Sequence, residues 1–208
     1  YDIDFILNDL PKMIDSMWVG SERICRISNS LRIFSRADTE VKCKANLHEG
    51  IDSTLMILKY RLKENNIRPE IEVIRSYDQL PEIDCFPGLL NQVFMNLLAN
   101  AIDMFDEISE DADNKRLKVN PPKIVIQTKF LEQKHMVEVY ISDNGKGISD
   151  AIIGKIFDRQ FTSKEVGKGT GLGLTIAQKI VVDTHRGDLE VRSEVGKGTE
   201  FVTRLPVG

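Results

Sequence analysis

The sequence has no run of apolar residues long enough to cross a membrane, which takes ~18 in succession. Its opening residues, 1–4, are partly acidic and do not match a secretory signal. Cysteine is scarce as well: Cys25, Cys43 and Cys85 lie far apart and lack the spacing of metal ligands. These absences predict a soluble chain, cytoplasmic or on the cytoplasmic side of a membrane, with free thiols in a reducing compartment.

An excess of positive charge is also missing. The formal net charge is −4 and the acidic and basic residues are interspersed, which argues against a nucleic-acid partner. Hydrophobic residues make up 41% of the 208 positions, enough for a buried core. The length therefore suits one medium-sized domain with a helical appendage.

Two glycine-rich turns are the most distinctive features that are present. The first, residues 143–148, follows an alternating strand at 137–142. Its two glycines have no side chains, so a flat ligand could approach the backbone beside the acceptor Asp143. The second, residues 167–174, runs into a helical pattern at 174–182, whose free N–H groups would attract phosphate. Together the two turns predict a nucleotide site.

Common phosphate loops do not account for these turns. Lys168 is followed by glycine and not by the Ser or Thr of a P-loop. The glycines at 169, 171 and 173 do not have the spacing of the dinucleotide fingerprint. Either turn by itself is most often only a tight turn. The order of the two in one chain is what favours a nucleotide.

A predicted helix over residues 89–105 adds two asparagines. Asn96 and Asn100 are four residues apart, so they share one side of the helix, next to its apolar face. Both would make capping or core hydrogen bonds, or Asn100 would give a neutral oxygen ligand to magnesium, an ion that keeps waters and shares phosphate oxygens. The spacing leaves both interpretations open.

The N-terminal part has a different pattern. Apolar residues recur at helical spacing from Leu7 to Phe34. This favours one helix of a bundle, completed by other helices from elsewhere, over a helix packed on its own domain. We therefore assign residues 1–36 to a long amphipathic helix, 37–46 to a polar linker and 47–208 to the domain proper.

Within that domain, helices and strands mix without βαβ alternation. This order predicts an α+β fold, a two-layer α/β sandwich in which helices cover one face of a mixed sheet. Helices are predicted at 47–64, 89–105, 149–156 and 174–182, and extended segments at 70–75, 80–85, 123–130, 135–142, 188–192 and 200–205.

The order of the motifs resembles the ATP-binding catalytic domain of sensor histidine kinases, within the superfamily that also holds gyrase, the HSP90 chaperones and the mismatch-repair ATPases. An asparagine box, a first glycine box, a phenylalanine box, a second glycine box and a terminal glycine motif occur in the family's order. They are similar, in turn, to residues 92–103, 143–148, 157–164, 167–174 and 196–201.

The resemblance implies ATP and magnesium as cofactors. Asp143 would accept a hydrogen bond from the adenine amine, with Gly145 and Gly147 beside the base. Asn96 and Asn100 would be the catalytic pair, and Asn100 would hold the magnesium ion. The further ATP contacts that the resemblance implies are Asp103, Ile148, Phe161, Lys164, Gly167, Lys168, Gly169, Thr170, Gly171, Leu172, Gly173 and Thr199.

The sequence departs from the family's pattern at two places in these boxes. Arg159 and Gln160 stand where the family usually has Pro-Phe, within residues 157–166, which would form a lid over ATP. This departure puts the packing of the lid in question. Asp103 stands where many relatives have a basic phosphate contact, so more of the charge neutralisation would fall on magnesium and the lid lysines.

None of the three histidines matches the family's phosphoacceptor box, in which proline follows shortly after a His-Glu or His-Asp pair. His48 begins a predicted helix, where a cap or surface role suffices, and His135 begins a strand. His185 ends a helix, where the dipole favours its charged form. The phosphoacceptor is therefore expected outside this sequence, on the other helix of a hairpin that would make the intact parent a homodimer.

One residue separates two enzyme classes. In ATP-hydrolysing relatives, a glutamate four residues before the magnesium asparagine activates water, whereas here that place holds Asn96, an amide that cannot take a proton. The resemblance thus implies a kinase that passes the ATP γ-phosphate to a histidine outside this chain and then to an aspartate of a response regulator. The alternatives are a non-catalytic nucleotide-binding signalling module and, disfavoured by Asn96, a hydrolysing ATPase.

Overall fold

A five-stranded mixed sheet with helices on one face forms the body of the structure. The structure is a computed structural model, and it describes Met17 and residues 41–110, 120–158 and 172–208. The rest of the predicted helix over 1–36 and most of the predicted lid lie outside the described residues. The helices are α1 (Leu47–Leu62), α2 (Pro87–Glu110), α3 (Asp150–Ile153) and α4 (Gly173–Lys179); the strands are β1 (Cys43–Ala45), β2 (Glu72–Ser76), β3 (Ile83–Cys85), β4 (Lys123–Leu131), β5 (Met136–Asp143), β6 (Asp188–Glu194) and β7 (Gly198–Pro206). None of these helices is long and apolar enough to cross a membrane.

The sheet has the strand order β2-β4-β5-β7-β6, in which β2 runs parallel to β4 and the other neighbours are antiparallel. Side chains alternate between its two faces. On the open face, Arg204 of β7 contacts carboxylates of both neighbouring strands at 2.6–2.8 Å. One apolar and one charged face are what a two-layer sandwich needs, so the predicted fold class is confirmed. The apolar face of β5 is Val137, Val139 and Ile141, and the partners of Arg204 are Glu138, Asp188 and Glu190.

Helices α1 and α2 pack against each other and supply much of the core. Their apolar residues recur at helical spacing, so each helix buries one continuous stripe. A charged pair joins them too, Arg61 of α1 with Asp103 of α2, and buried Arg68, in the segment that follows α1, donates to Asp106 of α2 at 2.5 Å. Asp103, a predicted ATP contact, therefore faces a cation of the protein itself. The buried stripes are Ile51, Leu55 and Leu58 on α1 and Val93, Phe94, Leu97, Leu98, Ile102 and Phe105 on α2.

The predicted linker, residues 37–46, contains a strand. β1 pairs antiparallel with β3 in a separate two-stranded sheet. Asn46 then caps α1, because its side chain accepts a hydrogen bond from the amide of His48 at 2.9 Å. The linker prediction missed this strand because three residues are too few to show a period.

The end of α4 corrects the prediction for His185. The helix continues as a π-helix, Ile180–Thr184, and the His185 ring after it is buried. Its Nδ1 lies 2.8 Å from the carbonyl oxygen of Ile180, and its Nε2 lies 3.0 Å from the amide of Phe86, so Nδ1 donates and Nε2 accepts. Burial lowers the pKa of His185. The expectation of a charged, dipole-stabilised histidine was wrong: a neutral ring connects the end of α4 to the residue before α2.

Candidate functional site

Asp143 ends β5 where the first glycine turn begins, and two backbone amides hold its carboxylate. Oδ1 accepts from the amide of Gly145 at 2.9 Å and from the amide of Thr199 on β7 at 3.3 Å. Burial raises the pKa of Asp143 to about 6, although these two hydrogen bonds act in the opposite direction. The side chain is therefore mostly ionised at neutral pH, and the bonds to Oδ1 fix its orientation.

The first glycine turn docks on the turn between β6 and β7. Gly147 has φ +71°, and a Cβ atom there would lie 2.2 Å from the carbonyl oxygen of Glu194. Gly198 has φ +122°, and a Cβ atom there would lie 1.9 Å from the carbonyl oxygen of Asp143. Contact between two backbones thus requires glycine at both positions. For Gly147 this is a reason separate from the ligand approach that the sequence predicted.

Ser193 on β6 joins these two turns and was missed in the sequence. Its hydroxyl accepts from the amide of Ile148 at 2.8 Å and donates to the carbonyl of Gly198 at 2.9 Å, and it lies 3.0 Å from the hydroxyl of Thr199. The first glycine turn is thereby tied to the start of β7. The available signal was the alternation of β6, since Ser193 follows Val191 by two residues and so shares its face.

Helix α2 covers another side of the first glycine turn. Met104 packs so closely on Gly145 that a Cβ atom there would lie 1.9 Å from the Met104 methyl carbon. The Met104 sulfur accepts from the amide of Lys146 at 3.4 Å, and the Lys146 ammonium pairs with Glu107 at 2.8 Å. Met104 therefore lies in the space beside Gly145 where a flat ligand was predicted. Met104 and Glu107 were missed, although they follow Asn100 by four and seven residues and so continue its helical face.

Asn96 links α2 to the start of α4. Its Nδ2 donates to the carbonyl of Gly173 at 3.0 Å. Thr175, two residues further along, donates to the carbonyl of Phe157 at 3.0 Å. The described residues on either side of 159–171 are thus connected to each other and to α2.

The predicted site residues that the structure describes form two groups. Met104 connects them, because it lies one turn after Asn100 on α2 and contacts Gly145. At the end of the sheet are Asp143, Gly145, Gly147, Ile148 and Thr199; on α2 and at the start of α4 are Asn96, Asn100, Asp103, Leu172 and Gly173. Outside the described residues are Phe161, Lys164, Gly167, Lys168, Gly169, Thr170 and Gly171.

This arrangement coincides with a known domain. A family model described as histidine kinase-, DNA gyrase B-, and HSP90-like ATPase matches residues 87–208, more than half of the chain. The chain belongs to this ATPase family. The matched residues begin at the first residue of α2 and contain both groups of the site, so the resemblance drawn from the sequence is confirmed.

The individual proteins that this chain is similar to are named as kinases. Sporulation kinase E of Bacillus subtilis (strain 168) is 34% identical over 186 residues, which are 89% of this chain and 22% of that kinase. Sensor histidine kinase ZraS of Escherichia coli (strain K12) is 36% identical over 130 residues, 62% of this chain and 24% of that protein. The solved catalytic domain of histidine kinase ThkA superposes with a TM-score of 0.64 at 26% identity, covering 80% of this chain and 96% of that domain. The chain thus spans about a quarter or less of the length of these two curated relatives.

Proposed function

We propose that this chain is the ATP-binding catalytic part of a sensor histidine kinase. The γ-phosphoryl group of ATP would pass to a histidine outside this chain and from there to an aspartate of a response regulator. Membership of the ATPase family and the kinase names of the relatives support this function. The observation that favours a kinase over a hydrolase is the hydrogen bond from the Asn96 amide to Gly173.

That hydrogen bond needs a donor at position 96. A glutamate there, the general base of the hydrolysing relatives, would have no proton to give to the Gly173 carbonyl when ionised. Asn96 satisfies the contact, but its amide cannot take a proton from water at neutral pH. Water would lack a base at this position, and the γ-phosphoryl group would instead await a separately delivered imidazole.

At the end of the sheet, the adenine amine would donate to Asp143. The amides of Gly145 and Thr199 orient this carboxylate before any ligand arrives, so little reorganisation is needed on binding. Met104 would lie against the base, because it already occupies the space next to Gly145. Thr199 would border the adenine pocket from β7.

At the phosphate end, Asn100 would supply a neutral side-chain oxygen to a magnesium ion, with the other ligands coming from waters and phosphate oxygens. The bound ion would neutralise part of the triphosphate charge. Pairing with Arg61 already offsets the negative charge of Asp103 beside this site. Lys164 and Lys168 would complete the phosphate contacts.

Asn100→Ala should abolish the tightening of ATP binding by magnesium, measured by calorimetry with and without the ion. Affinity for ATP in the absence of magnesium is the internal control and should change little. If the variant still binds ATP more tightly when magnesium is added, the ion has another protein ligand and Asn100 is misassigned.

The proposed partner is the receiver domain of a response regulator. Histidine kinase ThkA, which shares this fold, has been solved in complex with the response regulator protein TrrA. We further propose a cytoplasmic location, and dimerisation of the intact parent through a hairpin that includes residues 1–36.

The decisive experiment follows the label of γ-phosphate-labelled ATP with magnesium, in this chain and in a chain extended upstream through the next helix. We expect label only on the extended chain, in an acid-labile and alkali-stable form. Steady release of free phosphate from both chains would indicate a hydrolase. Intact ATP binding with neither labelling nor phosphate release would indicate a nucleotide-binding signalling module.

A further inference from the structure

Cys43 and Cys85 stand directly opposite each other where β1 pairs with β3. The amide of Asp84 donates to the carbonyl of Val207 at 3.0 Å, away from β1, so the backbone polar groups of Cys85 face β1. The two cysteines therefore form a hydrogen-bonded antiparallel pair, whose Cα atoms are typically about 5.5 Å apart. That separation is within the span of about 4.4–6.8 Å that disulfides bridge.

The two side chains also share a face and a cavity. Directly opposed residues of paired strands project to the same side of a sheet. Both cysteines line one cavity of about 140 Å³ next to the first turns of α1 and α2. Cys43 is exposed to solvent, whereas Cys85 is fully buried. Burial and, after it, the neighbouring Cys43 thiol raise the pKa of Cys85 to about 12.

We propose that Cys43 and Cys85 are an oxidation site, at which a peroxide converts the two thiols into a reversible disulfide within the domain. The sulfur of Cys43 attacks one peroxide oxygen, the O–O bond breaks, and Cys43 becomes a sulfenic acid while one water leaves. The sulfur of Cys85 then displaces the sulfenic hydroxyl, which leaves as a second water with the Cys85 proton. Two thiols are oxidised by two electrons, and one peroxide is reduced to two waters.

The geometry makes this bond easy to reverse. In directly opposed pairs the Cβ atoms lie about 4.5–5.5 Å apart, farther than the ~3.8 Å of a relaxed disulfide, so β1 must move toward β3. Strained disulfides are reduced more readily than relaxed ones, so this bond should be labile. The bond would fix β1 to the strand that leads through Phe86 into α2. This inference does not depend on the proposed kinase function.

The test treats the full chain with hydrogen peroxide in a Cys25→Ser background, which leaves only the two cysteines of the pair. Alkylation and intact mass then count the free thiols. We expect both thiols to be lost, the monomer mass to fall by two hydrogen atoms, and dithiothreitol to restore both. Closing a loop of this length should also raise the Tm, by about 10 °C for an unstrained bond and by less for this strained one.

A matched variant moves the exposed thiol by one residue. Cys43→Ser with Lys44→Cys keeps Cys85 and the number of thiols but places the new side chain on the opposite face of β1. It should not form an internal disulfide under the same treatment. Equal cross-linking in this variant would overturn the proposal. So would over-oxidation of Cys43 in the parent chain while Cys85 remains open to alkylation after denaturation.

Discussion

The two ends of the proposed nucleotide site, a base end around Asp143 and a phosphate end around Asn96, are held in different ways. At the base end, the amides of Ile148, Gly196 and Thr199 each bond across the contact between the first glycine turn and the β6–β7 region. At the phosphate end, within the part of the chain that the structure describes, the hydrogen bond that joins α2 to the start of α4 comes from the side chain of Asn96. The base end is therefore part of the fold, whereas the phosphate end depends on individual side chains. Substitutions at the first should cost stability, and substitutions at the second should change the chemistry.

Gly198→Ala should have the largest effect. Its added Cβ would meet the carbonyl oxygen of Asp143 in a backbone conformation that L side chains rarely adopt. We expect a loss of about 4 kcal/mol in the free energy of unfolding, from strain and overpacking together, measured by urea denaturation. Gly154→Ala is the control: a Cβ there meets nothing within 4 Å at a helical φ of −71°, so stability should hold or rise slightly. Equal losses in the two variants would remove the argument for a rigid base end.

The pH dependence of stability should come next in size. The pKa of Asp143 is raised to about 6 in the folded chain from an ordinary 3.8, so the folded state holds this proton more tightly than the unfolded state. Stability from this group is present at low pH and is lost as the pH rises through about 6. The stability of Asp143→Asn relative to the parent should therefore rise by up to about 3 kcal/mol between about pH 4 and pH 7. A flat difference across that range would mean that Asp143 is not desolvated.

The same variant should weaken adenine nucleotides. In Asp143→Asn the side-chain oxygen can still accept from Gly145 and Thr199, but an NH₂ group replaces the second acceptor oxygen. Loss of one charged hydrogen bond should reduce ADP affinity by about 1.5–3 kcal/mol, measured by calorimetry. Circular dichroism at about pH 7 should show the fold retained. Unchanged ADP affinity would place the adenine amine elsewhere.

Asn96→Asp probes the phosphate end and should have a small effect on stability. An ionised aspartate cannot donate to the Gly173 carbonyl, so about 1–2 kcal/mol of local stabilisation is lost. Phosphotransfer by the extended chain should fall about tenfold, while ADP affinity, set at the base end, should change less. Asn96→Ala removes the donor without adding charge, so its phosphotransfer rate should lie between those of the parent and of Asn96→Asp. If Asn96→Asp instead released free phosphate faster than the parent, position 96 alone would decide between kinase and hydrolase.

The sequence predicted those parts of the fold that repeat or carry a motif. Helices α1 and α2 and the paired strands β4–β5 and β6–β7 emerged from regular periods, and the five boxes placed Asp143, Asn96 and Asn100 on the elements where they lie. A period is recognisable only over several turns or alternations, so the long elements are the ones that the sequence predicted correctly.

The remaining features depend on contacts between residues far apart in the chain. Met104 against Gly145 and Ser193 against Ile148 join segments separated by about forty residues, which no local period reports. His185 also depends on a distant contact. Its ring is neutral because it is buried and because its Nε2 accepts from the amide of Phe86, whereas the helix dipole alone indicated a charged ring. The strand β1 was not predicted because its three residues are too few to show a period, and its pairing with β3 joins segments about forty residues apart.

The π-helix at the end of α4 constrains the length of this segment as well as its composition. The amide of His185 bonds to the carbonyl of Ile180, five residues back, so the last turn holds one residue more than an α-helical turn. Each residue advances an α-helix by about 100°. Deleting one residue here would restore an ordinary helix and rotate the imidazole away from Phe86, with every sequence motif intact. A one-residue gap in an alignment of this segment should therefore coincide with a different side chain at the position of His185.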